Sequence, residues 1–142
     1  MSHFLYKNKN LFCENVDVRD IAQKYGTPSY VYSKKTLEEN FESYFNAFEK
    51  NQGLICFSVK SLSNISVLKL LNEKGSGFDI VSGGELERAI HAGANPKKII
   101  FTGIAKSNEE ITAGIKRNIL AFNIESEAEM HRIEKLAAAE NK

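Results

Sequence analysis

The chain has 142 residues, of which 42% are hydrophobic and 26% are charged, with 19 basic against 18 acidic side chains. This composition favours a globular domain over a disordered chain, and a net charge of +1 gives no electrostatic case for binding nucleic acid or an anionic membrane. No apolar run approaches the ~20 residues of a membrane span. Cys13 and Cys56 have no CxxC partner, so neither a disulfide framework nor a metal site is predicted, and a cytoplasmic location is expected.

The first 27 residues differ in pattern from the rest of the chain. Residues 3–16, HFLYKNKNLFCENV, mix polar and apolar residues and predict a strand pair or an edge segment. Val18 to Tyr25 predicts a short helix that ends at Gly26. We expect residues 1–27 to belong to a different structural module from residues 28–142.

From Pro28 onward, short apolar runs alternate with longer amphipathic stretches, which predicts five strand–helix units. The predicted strands are Ser29–Tyr32, Leu54–Val59, Gly77–Val81, Lys98–Thr102 and Ile119–Ile124, and the predicted helices are Thr36–Lys50, Asn64–Lys74, Gly84–Ala92, Asn108–Arg117 and a last one beginning at Ser126. Capping boxes are predicted at Thr36 with Glu39, Ser82 with Glu85, Ser107 with Glu110 and Ser126 with Glu129. Repeated units of this kind predict a parallel sheet covered by helices.

Five such units fit either an open flavodoxin-like sheet or the first five units of a (β/α)8 barrel, which typically has about 250 residues. The strand faces favour the barrel. In the second predicted strand the bulky residues Ile55, Phe57 and Val59 share one face, and Cys56, Ser58 and Lys60 share the other. A bulky face toward helices and a smaller, partly polar face toward an interior is typical of barrel strands. The predicted fold class is therefore α/β, the N-terminal part of a (β/α)8 barrel.

Two residues on the inward strand faces are candidates for chemistry. Lys60 ends the second predicted strand, where barrel enzymes place reactive groups, and desolvation there would lower its pKa and make the amine a nucleophile for a Schiff base. Asp79, on the next strand, is a candidate charge partner of Lys60. Two alternatives stay open: a Lys60 that leaves the strand end into solvent, and an Asp79 that caps a turn. Glu85 fits a helix-capping role without any catalysis.

Five segments resemble, in order, the amino-terminal part of the diaminopimelate decarboxylase family. They are YGTPSYVYS at 25–33, ICFSVKSLSNISVLKLL at 55–71, GSGFDIVSGGELERAIHAG at 75–93, FTGIAKSNEEI at 101–111 and FNIESEAEM at 122–130. The resemblance covers about residues 20–142 and places the chain among the alanine-racemase-like, pyridoxal-phosphate-dependent decarboxylases of fold type III. In that family an eight-stranded α/β barrel is joined to a β domain, to which the N-terminal segment contributes.

The resemblance implies that Lys60 is the Schiff-base lysine and that Asp79 and Glu85 line the cofactor end of the barrel. It departs from many members at Ser61 and Leu62, where they have Ala-Asn or Cys-Asn after the lysine. The implied reaction is decarboxylation of meso-2,6-diaminopimelate to L-lysine and CO2, the last step of lysine biosynthesis, by a homodimer with an amino-acid substrate. The implied domains are residues 1–27 in the β domain and 28–142 in the first five barrel units, so this chain alone is expected to be inactive.

Other functions stay open on the sequence. Within the enzymes, carboxynorspermidine, ornithine or arginine decarboxylase and an amino-acid racemase are alternatives, because the substrate-binding part of such enzymes comes later in the chain. Outside the enzymes, the alternatives are a self-sufficient flavodoxin-like binding domain, with Lys60 merely at a strand end, and a regulatory relative that binds partners without catalysis.

Overall fold

The computed structural model describes residues 3–48 and 53–142, which fall into two units, Met1–Asn51 and Gln52–Lys142. The first unit contains a three-stranded antiparallel sheet of β1 (Phe4–Lys7), β2 (Asn10–Cys13) and β3 (Val16–Asp17), followed by α1 (Val18–Tyr25) and α2 (Lys34–Phe48). The predicted strand pair and the helix ending at Gly26 are therefore confirmed. The division at residue 51 lies later than the predicted module boundary after residue 27, and the assignment to a β domain and a barrel stays a prediction.

Two predictions in the first unit are wrong. Ser29–Tyr32 is not a strand: its sequence pattern suits extended backbone, but no described strand pairs with it, and Tyr30 is 91% exposed. The Thr36–Glu39 pair is not a capping box, because the helix begins two residues earlier and Ser33 Oγ accepts from Thr36 N at 3.0 Å. Thr36 and Glu39 instead bind His3. The predicted end of this helix at Lys50 lies outside the described residues.

The second unit contains a four-stranded parallel sheet with a helix after each strand. Its strands are β4 (Cys56–Ser58), β5 (Gly77–Ile80), β6 (Ile99–Phe101) and β7 (Ala121–Phe122), and its helices are α3 (Ile65–Glu73), α4 (Gly83–His91), α5 (Asn108–Arg117) and α6 (Glu127–Ala139). Each strand is shorter than predicted, because the apolar runs extend beyond the residues that pair with a neighbour. In the part of the chain that the structure describes, no helix is both long and apolar enough to cross a membrane.

Local signals place the helix starts of the second unit correctly. The Asn64 side chain accepts from Ser66 N and Val67 N at the start of α3. Ser107 and Glu110 form the predicted capping box of α5. Ser82 and Ser126 also cap their helices, but the reciprocal glutamates reach one residue further back, to Val81 N and Glu125 N. The predicted serine caps of α4, α5 and α6 are therefore confirmed, and the complete capping box is confirmed for α5 alone among these three.

The order of the strands decides between the two predicted sheet types. Each strand pairs with the next one along the chain, in the order β4-β5-β6-β7. A flavodoxin-like sheet reverses this order at its switch point, whereas a barrel does not. Because parallel crossovers are right-handed, sequential order also puts all the connecting helices on one face, and consecutive helices from α3 to α6 are in contact. The open doubly wound alternative is wrong, and the α/β barrel-type arrangement is confirmed.

The two faces of this sheet differ as the strand patterns predict. On the helix side, Phe78, Ile80, Ile99 and Phe101 are completely buried. On the other face, Ser58 and Asp79 are half-buried and Asn123 is exposed. The helix side is the hydrophobic core of the unit, and the other face carries the polar side chains.

Candidate functional site

Four polar side chains form a continuous hydrogen-bonded row across the carboxyl ends of the parallel strands. We call Ser58, Asp79, Thr102 and Asn123 the polar row. Ser58 Oγ donates to Asp79 Oδ2 at 3.3 Å, and Thr102 Oγ1 donates to Asp79 Oδ1. Asn123 Nδ2 in turn donates to Thr102 Oγ1 at 3.0 Å. Both carboxylate oxygens of Asp79 are thus held by hydroxyl groups.

Strand register explains why these four residues meet. Ser58 lies directly opposite Asp79, and Asp79 lies opposite Ile100, two residues before Thr102. Side chains two residues apart in a strand point to the same face. Thr102 N also bonds Ile80 O at 2.7 Å, and Asn123 N bonds Phe101 O at 2.9 Å, so the pairing continues just past the strand ends.

Lys60 lies in a single 3-10 turn, Val59–Ser61, immediately after β4. The prediction that it ends the strand is wrong by two residues, because β4 stops pairing at Ser58. The turn packs against β5, the strand that carries Asp79. Ser61 Oγ donates to Ser58 O at 2.6 Å and fixes the turn, while the Lys60 side chain itself is exposed. The fold therefore brings Lys60 and Asp79 to the same end of neighbouring strands.

Glu85 occupies the same end of the sheet but is held differently. Its Oε2 accepts from Val81 N at 2.7 Å, and its own N–H donates to Ser82 Oγ at 3.2 Å. The side chain therefore ties the end of β5 to the first turn of α4. Within the described residues, no hydrogen bond joins Glu85 to Lys60 or Asp79.

Lys106 is a buried residue that the sequence patterns do not reveal. Its side chain has 0% exposure and its ammonium donates to Gly103 O at 2.6 Å, Asn123 O at 2.8 Å and Glu129 Oε2 at 3.1 Å. The stretch Gly-Ile-Ala-Lys gives no local sign of burial. The only signal available was its place in the loop after a strand, at the same sheet end as Lys60.

Glu129 shares this burial, with 5% of its side chain exposed. Burial works to raise the pKa of Glu129, but the Glu125 N–H and the Lys106 ammonium outweigh it and hold the pKa below its usual range. The carboxylate is therefore charged, and Lys106 and Glu129 form a buried ion pair.

Comparison with known proteins identifies the family. A family profile described as "Pyridoxal-dependent decarboxylase, pyridoxal binding domain" matches residues 34–141. The chain belongs to this family. The match spans α2 and the whole parallel sheet, and it accounts for the pyridoxal-binding character that the resemblance implies.

The chain is similar in sequence and structure to several known proteins. Diaminopimelate decarboxylase of Haemophilus influenzae is 47% identical over 137 residues, which cover 96% of this chain and 33% of that protein. The crystal structure of AQ1208 from Aquifex aeolicus matches with a TM-score of 0.95 and 41% identity over 99% of this chain and 35% of that one. Diaminopimelate decarboxylase of M. jannaschii, solved in co-complex with L-lysine, matches with a TM-score of 0.93 and 34% identity over 98% and 33% of the two chains. The chain spans about a third of the length of these relatives.

Proposed function

We propose that this chain supplies the first third of a pyridoxal-phosphate-dependent decarboxylase that converts meso-2,6-diaminopimelate to L-lysine and CO2, the last step of lysine biosynthesis. The observation that carries the proposal is the placement of Lys60 directly after β4, at the strand end where the polar row holds Asp79. The family membership and the names of the relatives support the cofactor and the reaction.

The residues at this sheet end fit pyridoxal phosphate chemically. The cofactor attaches to proteins through a lysine amine and is tuned by charged groups around its ring. Lys60 offers an exposed primary amine on a turn held by Ser61, and Asp79 offers a carboxylate fixed by two hydroxyl donors. An amine and an oriented negative charge at one strand end are part of the set of groups that this cofactor needs.

Each residue has a defined task in the proposed reaction. The cofactor, when bound, supplies an electron sink for the bond broken at the substrate's α-carbon. Lys60 Nζ would hold the cofactor covalently and, as a free amine, would hold a proton beside the reacting carbon. Asp79 keeps its charge in one orientation toward the Lys60 turn, because both of its oxygens are bonded. Glu85 lines the cofactor end and keeps Val81 and α4 in place there.

The same proposal extends to the architecture of the whole protein. Residues 1–27 would contribute to a β domain and residues 28–142 to the first units of the barrel, in a cytoplasmic homodimer that takes an amino-acid substrate. The family resemblance and the lengths of the relatives support this architecture. Light scattering on the full-length protein is the test, with twice the monomer mass expected. A monomeric active enzyme would contradict the dimer.

The attachment site is tested by reduction with borohydride. The full-length protein is incubated with pyridoxal phosphate, reduced and digested, and the labelled peptide is identified by mass spectrometry. We expect the label on Lys60 and its loss in Lys60→Ala. Lys69→Ala, which removes an exposed lysine of α3, is the matched control and should retain the label. Label on any other lysine would overturn the assignment.

The substrate is tested by CO2 release. We expect release from meso-2,6-diaminopimelate to exceed that from ornithine, arginine and carboxynorspermidine. Equal or greater release from one of the other three would transfer the assignment to that decarboxylase, and racemisation without CO2 release would transfer it to an amino-acid racemase. The names of the relatives favour the first outcome.

A further inference from the structure

Lys106 is the one completely buried lysine among the described residues, and its ammonium binds two backbone carbonyls as well as Glu129. An ammonium taken out of water is stable only when its donors find good acceptors and its charge finds an opposite charge. Lys106 meets both conditions, because three acceptors, one of them the Glu129 carboxylate, lie within 3.1 Å of Nζ. Two of the three acceptors are backbone carbonyls rather than side chains.

Those two carbonyls belong to the ends of neighbouring strands. Gly103 directly follows Thr102 after β6, and Asn123 directly follows β7. The last backbone hydrogen bonds between these strands are donated by Thr102 N and Asn123 N, so the carbonyl oxygens of Gly103 and Asn123 need another donor. The Lys106 ammonium donates to both carbonyl oxygens at once. It therefore joins the two segments that carry Thr102 and Asn123.

The anchored segments are half of the polar row. Asn123 Nδ2 donates to Thr102 Oγ1, and Thr102 Oγ1 donates its proton to Asp79 Oδ1. The direction is settled, since a carboxylate only accepts and the threonine hydroxyl must then accept from the amide. Moving the backbone at residue 103 or 123 would consequently move the hydroxyl that orients Asp79.

Glu129 completes the arrangement from the side of α6. Its Oε2 accepts from both Lys106 Nζ and Glu125 N, which fixes the first turn of α6 against the ends of β6 and β7. Its second oxygen, Oε1, is buried without a hydrogen bond and lies 3.6 Å from Arg132 Nη2. The carboxylate therefore pairs with both Lys106 and Arg132, and the shorter of the two ion pairs, at 3.1 Å, is the one to Lys106.

We propose that Lys106, with Glu129, is a positioning residue of the reaction: it fixes Thr102 and Asn123 and through them the orientation of Asp79 beside Lys60. The inference rests on the proposed function, because it assigns Asp79 a role near the cofactor held by Lys60. It adds a buried pair that touches neither cofactor nor substrate. Lys106 acts only through the polar row.

The test uses variants of the full-length protein that remove the pair or one link of the row. Lys106→Met combined with Glu129→Leu deletes both charges together, so no buried charge is left unpaired, while Gly103 O and Asn123 O lose their donor. Thr102→Val removes the hydroxyl between Asn123 and Asp79 at nearly constant volume. Asn123→Ala shortens an exposed side chain and is expected to fold normally.

Three measurements are compared: the melting temperature, the visible absorption spectrum of the bound cofactor, and kcat and KM for CO2 release. We expect the double variant to keep its borohydride label on Lys60, to lose about tenfold to a hundredfold in kcat with little change in KM, and to shift the absorption band as Thr102→Val does. Adding Thr102→Val to the double variant should lower kcat by less than the product of the two separate losses, because both changes act on one series of contacts.

The outcomes separate the two proposals. If wild-type protein carries no label on Lys60, the proposed function fails and this inference falls with it. If wild type is labelled and the double variant matches it in kcat and spectrum, only the role of Lys106 is overturned. If the losses in kcat multiplied when Thr102→Val was added to the double variant, the coupling between Lys106 and Thr102 would be overturned. Should the double variant fail to fold, Asn123→Ala decides: wild-type spectrum and kcat in that variant would overturn the proposal.

Discussion

At the scale of single residues, the site depends on a carboxylate whose two oxygens have different neighbours. Asp79 Oδ2 receives a hydrogen bond from Ser58 on β4, and Oδ1 receives one from Thr102 after β6. A side chain held from both neighbouring strands has little rotational freedom. Its negative charge therefore has a fixed direction, which is the condition under which a charge contributes to catalysis.

Asp79→Asn tests the charge while keeping the shape. The amide oxygen can still accept from Thr102, so we expect the melting temperature of the full-length protein to change by no more than a few degrees. The rate of CO2 release should fall by about a hundredfold, because an oriented charge beside the cofactor is lost. Asp20→Asn, at an exposed position in the first turn of α1, is the control and should keep the wild-type rate. A variant at Asp79 with the wild-type rate would remove this residue from the site.

At the scale of elements, neighbouring helices are joined through their N-termini. Glu110 Oε2 accepts from Ser107 N at the start of its own helix α5, and Oε1 accepts from Gly83 N at the start of α4 at 2.7 Å. The Gly83 N–H and then the Ser107 N–H hold the pKa of Glu110 below its usual range. A single carboxylate thus caps two helices at once.

Glu110→Gln should destabilise the protein by about 2 kcal/mol, because a charged acceptor of two backbone N–H groups is replaced by a neutral amide. Folding lowers the pKa of Glu110, so its stabilisation of the folded state is fully present at pH values above the ordinary glutamate pKa. The stabilisation is lost as the pH falls from that value through the lower pKa of the folded state. The difference in melting temperature between wild type and variant should accordingly be large at pH 7 and shrink under acidic conditions.

Glu87→Gln is the matched control for this prediction. Glu87 also joins α4 to α5, through Arg117 at 2.7 Å, but its side chain is 60% exposed. An exposed ion pair contributes less than about 1 kcal/mol, so this variant should melt close to wild type. If the two glutamine variants lost equal stability, the double cap of Glu110 would not be the important contact.

The close approach of β5 to its neighbours gives a second prediction at this scale. A Cβ on Gly77 would lie 2.5 Å from Lys98 O and 2.7 Å from Cys56 Sγ, and the first of these is a backbone atom of the residue that precedes β6. Gly77→Ala should therefore cost about 1–3 kcal/mol. Gly84→Ala in α4 places its Cβ 3.9 Å from the nearest atom, Ser82 Oγ, and should be neutral or stabilising because alanine favours helix. Thermal unfolding of the two variants measures the contrast, and equal melting temperatures would contradict it.

At the scale of the whole molecule, the second unit has the geometry of part of a barrel. Its strands follow one another in chain order, its helices lie on one face, and β4 and β7 form the edges of the described sheet. The polar row lies on the face that no helix of this unit covers. In a closed barrel this face is the interior, and the reactive groups lie at the carboxyl ends of its strands.

We expect the 142-residue polypeptide by itself to release no CO2 from meso-2,6-diaminopimelate, and the full-length protein to release it. The reason is that four strands are half of an eight-stranded barrel, that Lys60 is exposed to water, and that the chain spans about a third of the length of its relatives. The assay follows labelled CO2, with the full-length Lys60→Ala variant as the inactive reference. Turnover by the short polypeptide above that reference would refute the partial-barrel interpretation.

The sequence by itself determined the features that depend on neighbours a few residues away. The alternation of strands and helices, the caps at Asn64 and Ser107, and the faces of Ser58 and Asp79 all follow from local spacing, because helix ends and strand faces have short periods. The same local spacing predicts Lys60 and Asp79 as site residues, and the resemblance of the motifs around them predicts the family that the comparison confirms.

Only the tertiary structure decided the features that depend on partners far along the chain. Ser29–Tyr32 has a strand-like pattern but no described partner, and Glu85 and Glu129 reach the residue before the expected cap. Lys106 lies 23 residues from Glu129 and 17 from Asn123, so nothing in its local sequence signals burial. Strand pairing and the burial of charged side chains depend on which distant segments the fold brings together. The order of the strands, which excludes the flavodoxin-like sheet, depends on the same long-range contacts.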